Sequence, residues 1–324
     1  MKRSAFKDIS RVGLWAAFFA LPGASQNAFA VENAQNFYLL GQRGSLAGVT
    51  PPPGLYFQDP VYFYDGSAGA NHDFELGGNV VAGVRSNAEL SVPTVVWVTP
   101  ATILGGNLGF SLSEVIGHIG VSVDATLTGP LGFFSRGVSA SDNTTTVGDP
   151  IAAAFIGWAS GNFHWQVAET VNVPIGDYVD GALANVALHR WVGDTTGSWT
   201  WLDPKVGVDV SGAVGITFNG ENFATNYVSG TEFHLEGAVL KYLSKDFSIG
   251  PAGYFYDQFT PDGGPGDKIG PFEGRVIALG GAMTYNFALG KIPVATSARV
   301  YREFDATNRL QGTAGWLTMA IPLP

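Results

Sequence analysis

The sequence predicts an all-β protein: a transmembrane, antiparallel, up-and-down β-barrel of about twelve strands, with ten or fourteen as the nearest alternative counts. Three observations carry this. Strand after strand has one greasy and one small or polar parity. Long and very short connections alternate. The chain opens on what reads as an export signal.

Residues 275–287 show the first observation most clearly. Ile277, Leu279, Met283, Tyr285 and Phe287 fall on one parity, and Ala278, Gly280, Ala282, Thr284 and Asn286 on the other. Successive strand side chains point to opposite faces, so the segment has a broad apolar face that ends in aromatics. A soluble sandwich would bury that face and an outer-membrane barrel shows it to lipid. The export signal favours the barrel.

Residues 1–30 read as that signal. Lys2, Arg3, Lys7 and Arg11 supply a basic start, Val12 to Leu21 an apolar run, and Ala28-Phe29-Ala30 a small-x-small cleavage site before Val31. The run is well short of the roughly 20 residues that cross a bilayer as a helix. Its removal takes four basic residues and Asp8 with it, moving the formal charge from −10 to −13. A chain so acidic does not seek nucleic acid or anionic lipid by charge. With no cysteine, disulfides, thiolate metal sites and N-terminal lipid attachment through Cys are all excluded. Glycine at 44 of 324 residues and charged residues at only 14% suit a lipid-facing surface with tight turns.

Period-two segments bounded by turn residues give expected strands at 54–64, 90–99, 110–123, 149–160, 163–174, 199–211, 213–224, 230–242, 246–258, 274–287, 291–303 and 311–321. The second and third are the least regular. Long connections follow the first, third, fifth and ninth. Gly161-Asn162, Gly212, Leu243-Ser244-Lys245 and Ala288-Leu289-Gly290 make the short ones. This alternation puts both termini on the periplasmic side and requires an even strand count. Residues 31–53, ending in Pro51-Pro52-Pro53, are too polar and broken for a strand and form either a periplasmic lead-in or a lumenal segment; residues 54–324 form the single barrel domain.

Several ordered motifs run through the chain: Pro52 to Phe57, Gly148-Asp149-Pro150, Pro174 to Tyr178, Trp199 to Pro204, Asn226 to Gly230, and Gly250 to Gln258 around Tyr254-Phe255-Tyr256. In order and spacing the sequence resembles the outer-membrane phenol meta-pathway degradation or transporter family. The resemblance implies an outer-membrane barrel that passes hydrophobic aromatic compounds, with lipid, a small solute and the outer-membrane assembly machinery as partners and no cofactor. One departure is the C-terminus. The chain ends Ala320-Ile321-Pro322-Leu323-Pro324 rather than on the aromatic residue used in assembly, so either Trp316 or Ile321 substitutes, or the signal is atypical.

Candidate substrate-path residues follow from parity. Glu232, His234 and Glu236 share the polar face of the eighth strand, opposite Phe233, Leu235 and Val239. A charge at the bilayer midplane costs up to about 4 kcal/mol, so this parity faces inward. Arg299 with Glu303, and Lys205 with Asp209 on the expected sixth strand, are possible partners across the lumen. The set reads either as a polarised constriction or as a ladder that fills the lumen. His164, Gln166, Thr170 and Asn172 share the inward face of the fifth strand, with Glu169 an exception on the apolar side. Tyr254 and Tyr256 share the more polar face of the ninth with Ser248 and Gln258, and are the aromatic candidates. Trp165, Trp199, Trp201, Trp316, Tyr285 and Phe287 read as interface belts.

The chain has no Gly-x-Ser-x-Gly and its five histidines lack metal spacing, so no catalytic motif emerges. Ser229 near His234 leaves a barrel-borne hydrolase as one alternative, and a structural or adhesive barrel as another. Asp257, Asp262 and Asp267 resemble a loose calcium loop or a flexible acidic outer loop. The leading expectation is a channel or facilitator for small hydrophobic or aromatic solutes.

Overall fold

The computed structural model describes residue 32 and residues 36–69, 73–76, 79–128 and 135–324; the expected signal over residues 1–30 lies outside them. Twelve antiparallel strands close into one barrel. They are β1 (Gly54–Ser67), β2 (Val84–Ser91 continuing as Thr94–Ile103), β3 (Gly106–Ser113 continuing as Ile116–Thr128), β4 (Ser135–Val147 continuing as Ile151–Ser160), β5 (Phe163–Asn172), β6 (Val192–Asp203), β7 (Val208–Asn219), β8 (Glu232–Tyr242), β9 (Phe247–Gln258), β10 (Arg275–Leu289), β11 (Ile292–Thr307) and β12 (Gln311–Pro322). β12 pairs with β1 from Tyr56↔Pro322 to Ser67↔Gln311, which removes the free edges that lipid cannot satisfy.

The alternation read from the sequence places the side chains as expected. On β10, Leu279 and Met283 are 63% and 45% exposed on the outer surface, while Ala278 and Ala282 are 0% and 4% exposed. Both chain ends of the barrel, Gly54 and Pro322, lie at the end with short turns. Leu104-Gly105, with φ of 52° and 78°, forms one of them: successive positive φ angles match the twist of a two-residue hairpin.

The expected sixth and seventh strands are corrected. Gly212 is not a turn but the middle of β7, and the hairpin closes over Pro204 to Gly207 instead. Asp203 fixes that turn by accepting hydrogen bonds from the Lys205 and Val206 amides at 2.8 and 3.1 Å, and Gly207 takes φ +66°. Gly212 is there for a different reason. It pairs with Trp199, and a Cβ would meet the indole at 2.2 Å. The ring covers the glycine across the strands. Lys205 is consequently an exposed turn residue, and Asp209 belongs to β7.

β2, β3 and β4 are interrupted at one level of the wall, at Val92-Pro93, Glu114-Val115 and Gly148 to Pro150. These include the two strands that looked least regular. Below the break the outer face carries Val95, Trp97, Phe110 and Leu112; above it come Arg85, Asn87 and Glu89. Above the break Ser135–Val147 pairs only with Ile116–Thr128, and its other edge is met by the irregular connection 173–191. That connection is tied down by carboxylates. Asp142 accepts from the Leu183 and Ala184 amides, and Asp149 from the Gly176, Leu188 and His189 amides and from Asn172 Nδ2.

Candidate functional site: the lumen

Residues 36–53 run through the lumen as a strap without regular secondary structure, so the barrel wall has to satisfy their backbone groups. Trp316 Nε1 donates to Leu40 O at 3.0 Å, and Arg299 donates to the carbonyls of Gly41 and Gln42. Glu236 Oε2 accepts from the Arg43 amide at 2.9 Å. Lower down, Asp209 accepts from Ser45 Oγ and from the Leu46 amide, which also reaches Ser211 Oγ at 3.0 Å. The Gly48 amide donates to Thr200 Oγ1, and Gln166 Nε2 to Thr50 Oγ1, both at 3.0 Å. Trp316, expected in an interface belt, is thus inside the barrel and 2% exposed, because it falls on the inward parity of β12 and its indole N–H has a strap carbonyl to meet.

The polar triad of β8 points inward and each member has its own partner. His234 Nε2 lies 2.9 Å from Asp194 Oδ2, and the Tyr38 ring of the strap stacks on the imidazole with centroids 3.5 Å apart. Gly215, opposite His234, supplies the space; a Cβ there would meet the ring at 2.4 Å. Asp194 is held further by the hydroxyls of Thr196 and Thr217. Glu232 accepts from Asn219 Nδ2 at 2.8 Å. Ser229 Oγ is buried without a hydrogen-bond partner, and His234 is directed to Asp194 rather than to that serine.

β9 contributes a second polar cluster. Glu303 accepts from Tyr254 and Tyr64 hydroxyls, each at 2.9 Å, and from the Gly312 amide at 2.7 Å. Tyr256 lies under the Arg309 guanidinium, 4.4 Å from its ring centroid. Gln258 Nε2 donates to Asp262 Oδ1 at 2.7 Å, and Asp262 also accepts from the Tyr227 hydroxyl and the Gly230 amide. Arg309 sits in the short connection between β11 and β12. Burial lowers its pKa, but Glu303 and the neighbouring tyrosines outweigh that, leaving it above its ordinary value.

Between the strap and the wall formed chiefly by β1 to β5 remains a cavity of about 1030 Å³. Its lining is largely apolar: Tyr56, Tyr62 and Tyr64 of β1, Leu90 and Val96 of β2, Phe155 of β4, Ala168 of β5, and Val186 and Leu188 from the connection 173–191. Of the ten residues expected to line a path, Gln166 and Arg299 border this space. Glu232, His234, Glu236, Asp209, Tyr254, Tyr256, Gln258 and His164 do not. Parity gives the direction of a side chain but does not say that a strap stands in front of it. Phe155, Ala168, Asp149 and Arg309 were not singled out by sequence. Asp149 had a signal in the Gly148-Asp149-Pro150 motif, whereas Arg309 lies in a connection outside any two-faced strand.

The model of the family described as "Putative MetA-pathway of phenol degradation" matches residues 71–319. The chain belongs to this family. A search of the curated proteins finds no match. Among solved structures, the COG4313 outer membrane channel from Pseudomonas putida F1 superposes with a TM-score of 0.65 at 12% identity, over 85% of this chain and 98% of that one. That likeness shows the fold. A Pseudomonas aeruginosa FadL homologue aligns at a TM-score of 0.34 and 7% identity, over 82% of this chain and 88% of that one, and is too distant to carry an argument.

Proposed function

We propose that the protein resides in the bacterial outer membrane and acts as a channel or facilitator for small hydrophobic solutes, aromatic ones among them. The observation that carries this reading is the apolar cavity beside the strap. Pockets of about 300–1,000 Å³ with a few convergent polar groups suit small organic molecules. The cavity also borders Val115, Asp149 and Ile151, where the wall strands are interrupted, so its side is closed by irregular chain rather than by a continuous ladder. Membership of the family and the channel fold agree with transport. On this reading the short-turn end faces the periplasm, lipid covers the Leu279 and Met283 face, and the assembly machinery inserts the barrel.

His234, Glu236, Asp209, Arg299 and Gln166 serve this function as the polar wall that positions the strap, Glu232 and His164 extend that wall, and Tyr254, Tyr256 and Gln258 order the loop end of the lumen. Initial uptake of a labelled aromatic solute by cells expressing the protein tests the proposal. Ala153→Trp, which fills the cavity from β4, is expected to lower uptake severalfold while heat-modifiable gel mobility is retained. Equal uptake by expressing cells, the Trp variant and cells lacking the protein would overturn it.

A further inference from the structure

The hydrogen bonds around the cavity are unevenly satisfied. Three carboxylates line it, and each oxygen of all three has at least one donor. Glu303 accepts from Tyr64, Tyr254 and the Gly312 amide. Asp149 accepts from three amides and Asn172. Asp194 accepts from Thr196, Thr217 and His234. The donors lining the same space are not so well matched. Arg309 Nε and Nη1, Arg299 Nε and Asn36 Nδ2 are buried with no acceptor. Glu232 Oε2 and Glu236 Oε1 also lack partners, but neither residue borders the cavity.

Buried N–H groups are almost always paired, and an unpaired set lining one cavity marks the chemistry of what belongs there. Arg309 is the strongest of these. Its remaining nitrogen lies 4.0 Å from Glu303 Oε1, and that carboxylate is already occupied by two tyrosines and an amide. Tyr256 holds one face of the guanidinium. Its Nε and Nη1 point to different sides of the held guanidinium, and each leaves a charged N–H donor for a carboxylate oxygen. Beside them the cavity offers Leu310, Tyr62 and Leu90 to an apolar body.

We propose that the cavity is a binding site for amphipathic carboxylates, with the ligand's carboxylate on Arg309 and its apolar body along the wall of β1 and β2. The inference rests on the reading of the cavity as a site for apolar solutes and adds the charge of the ligand. Aromatic and short aliphatic acids share this chemistry, and paired probes separate them.

The test is calorimetric titration of the purified full-length barrel at neutral pH with benzoate and methyl benzoate, and with hexanoate and methyl hexanoate. In at least one pair the acid should bind more tightly than its ester, and the pair that does so identifies the aromatic or aliphatic source. Arg309→Gln should weaken that acid by at least about tenfold and leave the ester unchanged. Esters that bind as well as both acids would overturn the carboxylate site while leaving the apolar cavity standing. Absence of binding by all four would overturn both. Should Arg309→Gln fail to yield a heat-modifiable barrel, Arg309→Lys decides: lysine cannot reproduce the fixed, separated donors of the planar guanidinium, so the acid must weaken more than the ester, and unchanged affinity for both would refute the inference.

Discussion

Asp209→Ala should loosen the strap without unfolding the barrel. The carboxylate accepts from Ser45 Oγ and from the Leu46 amide, and a hydrogen bond to a charged group contributes about 1.5–3 kcal/mol. Leu46 keeps Ser211 Oγ as an alternative acceptor, and water in the lumen can reach the freed groups. The net loss is therefore nearer to about 2 kcal/mol than to the sum of two bonds, which corresponds to a rise of about 30-fold in the open population. Hydrogen exchange resolved by peptide reads this directly. The segment carrying the Leu46 and Gly48 amides should exchange about 30-fold faster, whereas the ladders of β7 and β8 keep their native rates. Less than a threefold change would refute the assignment of Asp209 as an anchor. Parallel acceleration of the strands would show that strap and barrel open together.

Cysteine at 279 or 283 should react with a lipid-soluble thiol reagent in membranes while cysteine at 278 or 282, packed inside the barrel at 0% and 4% exposure, resists it, and the chain has no native cysteine to compete. The reverse preference would refute the assigned faces. Asp149→Ala removes the acceptor shared by three amides and Asn172, so limited proteolysis should cut within 173–191 at least tenfold faster, at a cost of roughly 3 kcal/mol of local stability; an unchanged cutting rate would show that the connection is held by other contacts. Glu232→Gln combined with Glu236→Gln should preserve gel mobility and change single-channel conductance, because Glu236 holds the strap at Arg43. Mass spectrometry of the membrane-inserted protein should find a chain that begins at Val31.

Much of the barrel was legible because one physical rule, alternation, is written into most of its strands. Leu279 and Ala278 can be assigned to opposite faces from spacing alone. Gly212 shows where that rule stops. A glycine between two apolar segments has the same appearance whether it turns the chain or receives an indole from the neighbouring strand, and only the pairing with Trp199 separates the cases. The lumen was legible to a similar depth. The inward direction of Glu232, His234, Glu236 and Arg299 followed from the cost of charge in lipid, but Glu236 and Arg299 meet backbone groups of a segment whose residues have no periodicity, while Glu232 and His234 meet side chains of the neighbouring wall. Arg309 was hidden for a related reason, since a short connection that folds inward has no two-faced pattern to announce it.

The strap also constrains the order of assembly. Glu32 accepts from Asn222 Nδ2 in the connection between β7 and β8, at the end with the long connections, whereas Gly54 starts β1 at the opposite end. The segment therefore traverses the barrel before the first strand begins. β1 and β12 are the most distant strands in the chain, and their pairing completes the ring. A ring that closed first would leave a polar leader to be threaded through a finished, crowded bore; a ring that closes last can wrap a leader already bound to β7, β8 and β11. The buried side chains of those strands then act as a template for insertion, and a bulky fusion placed ahead of Glu32 should slow closure more than the same fusion placed after Pro324.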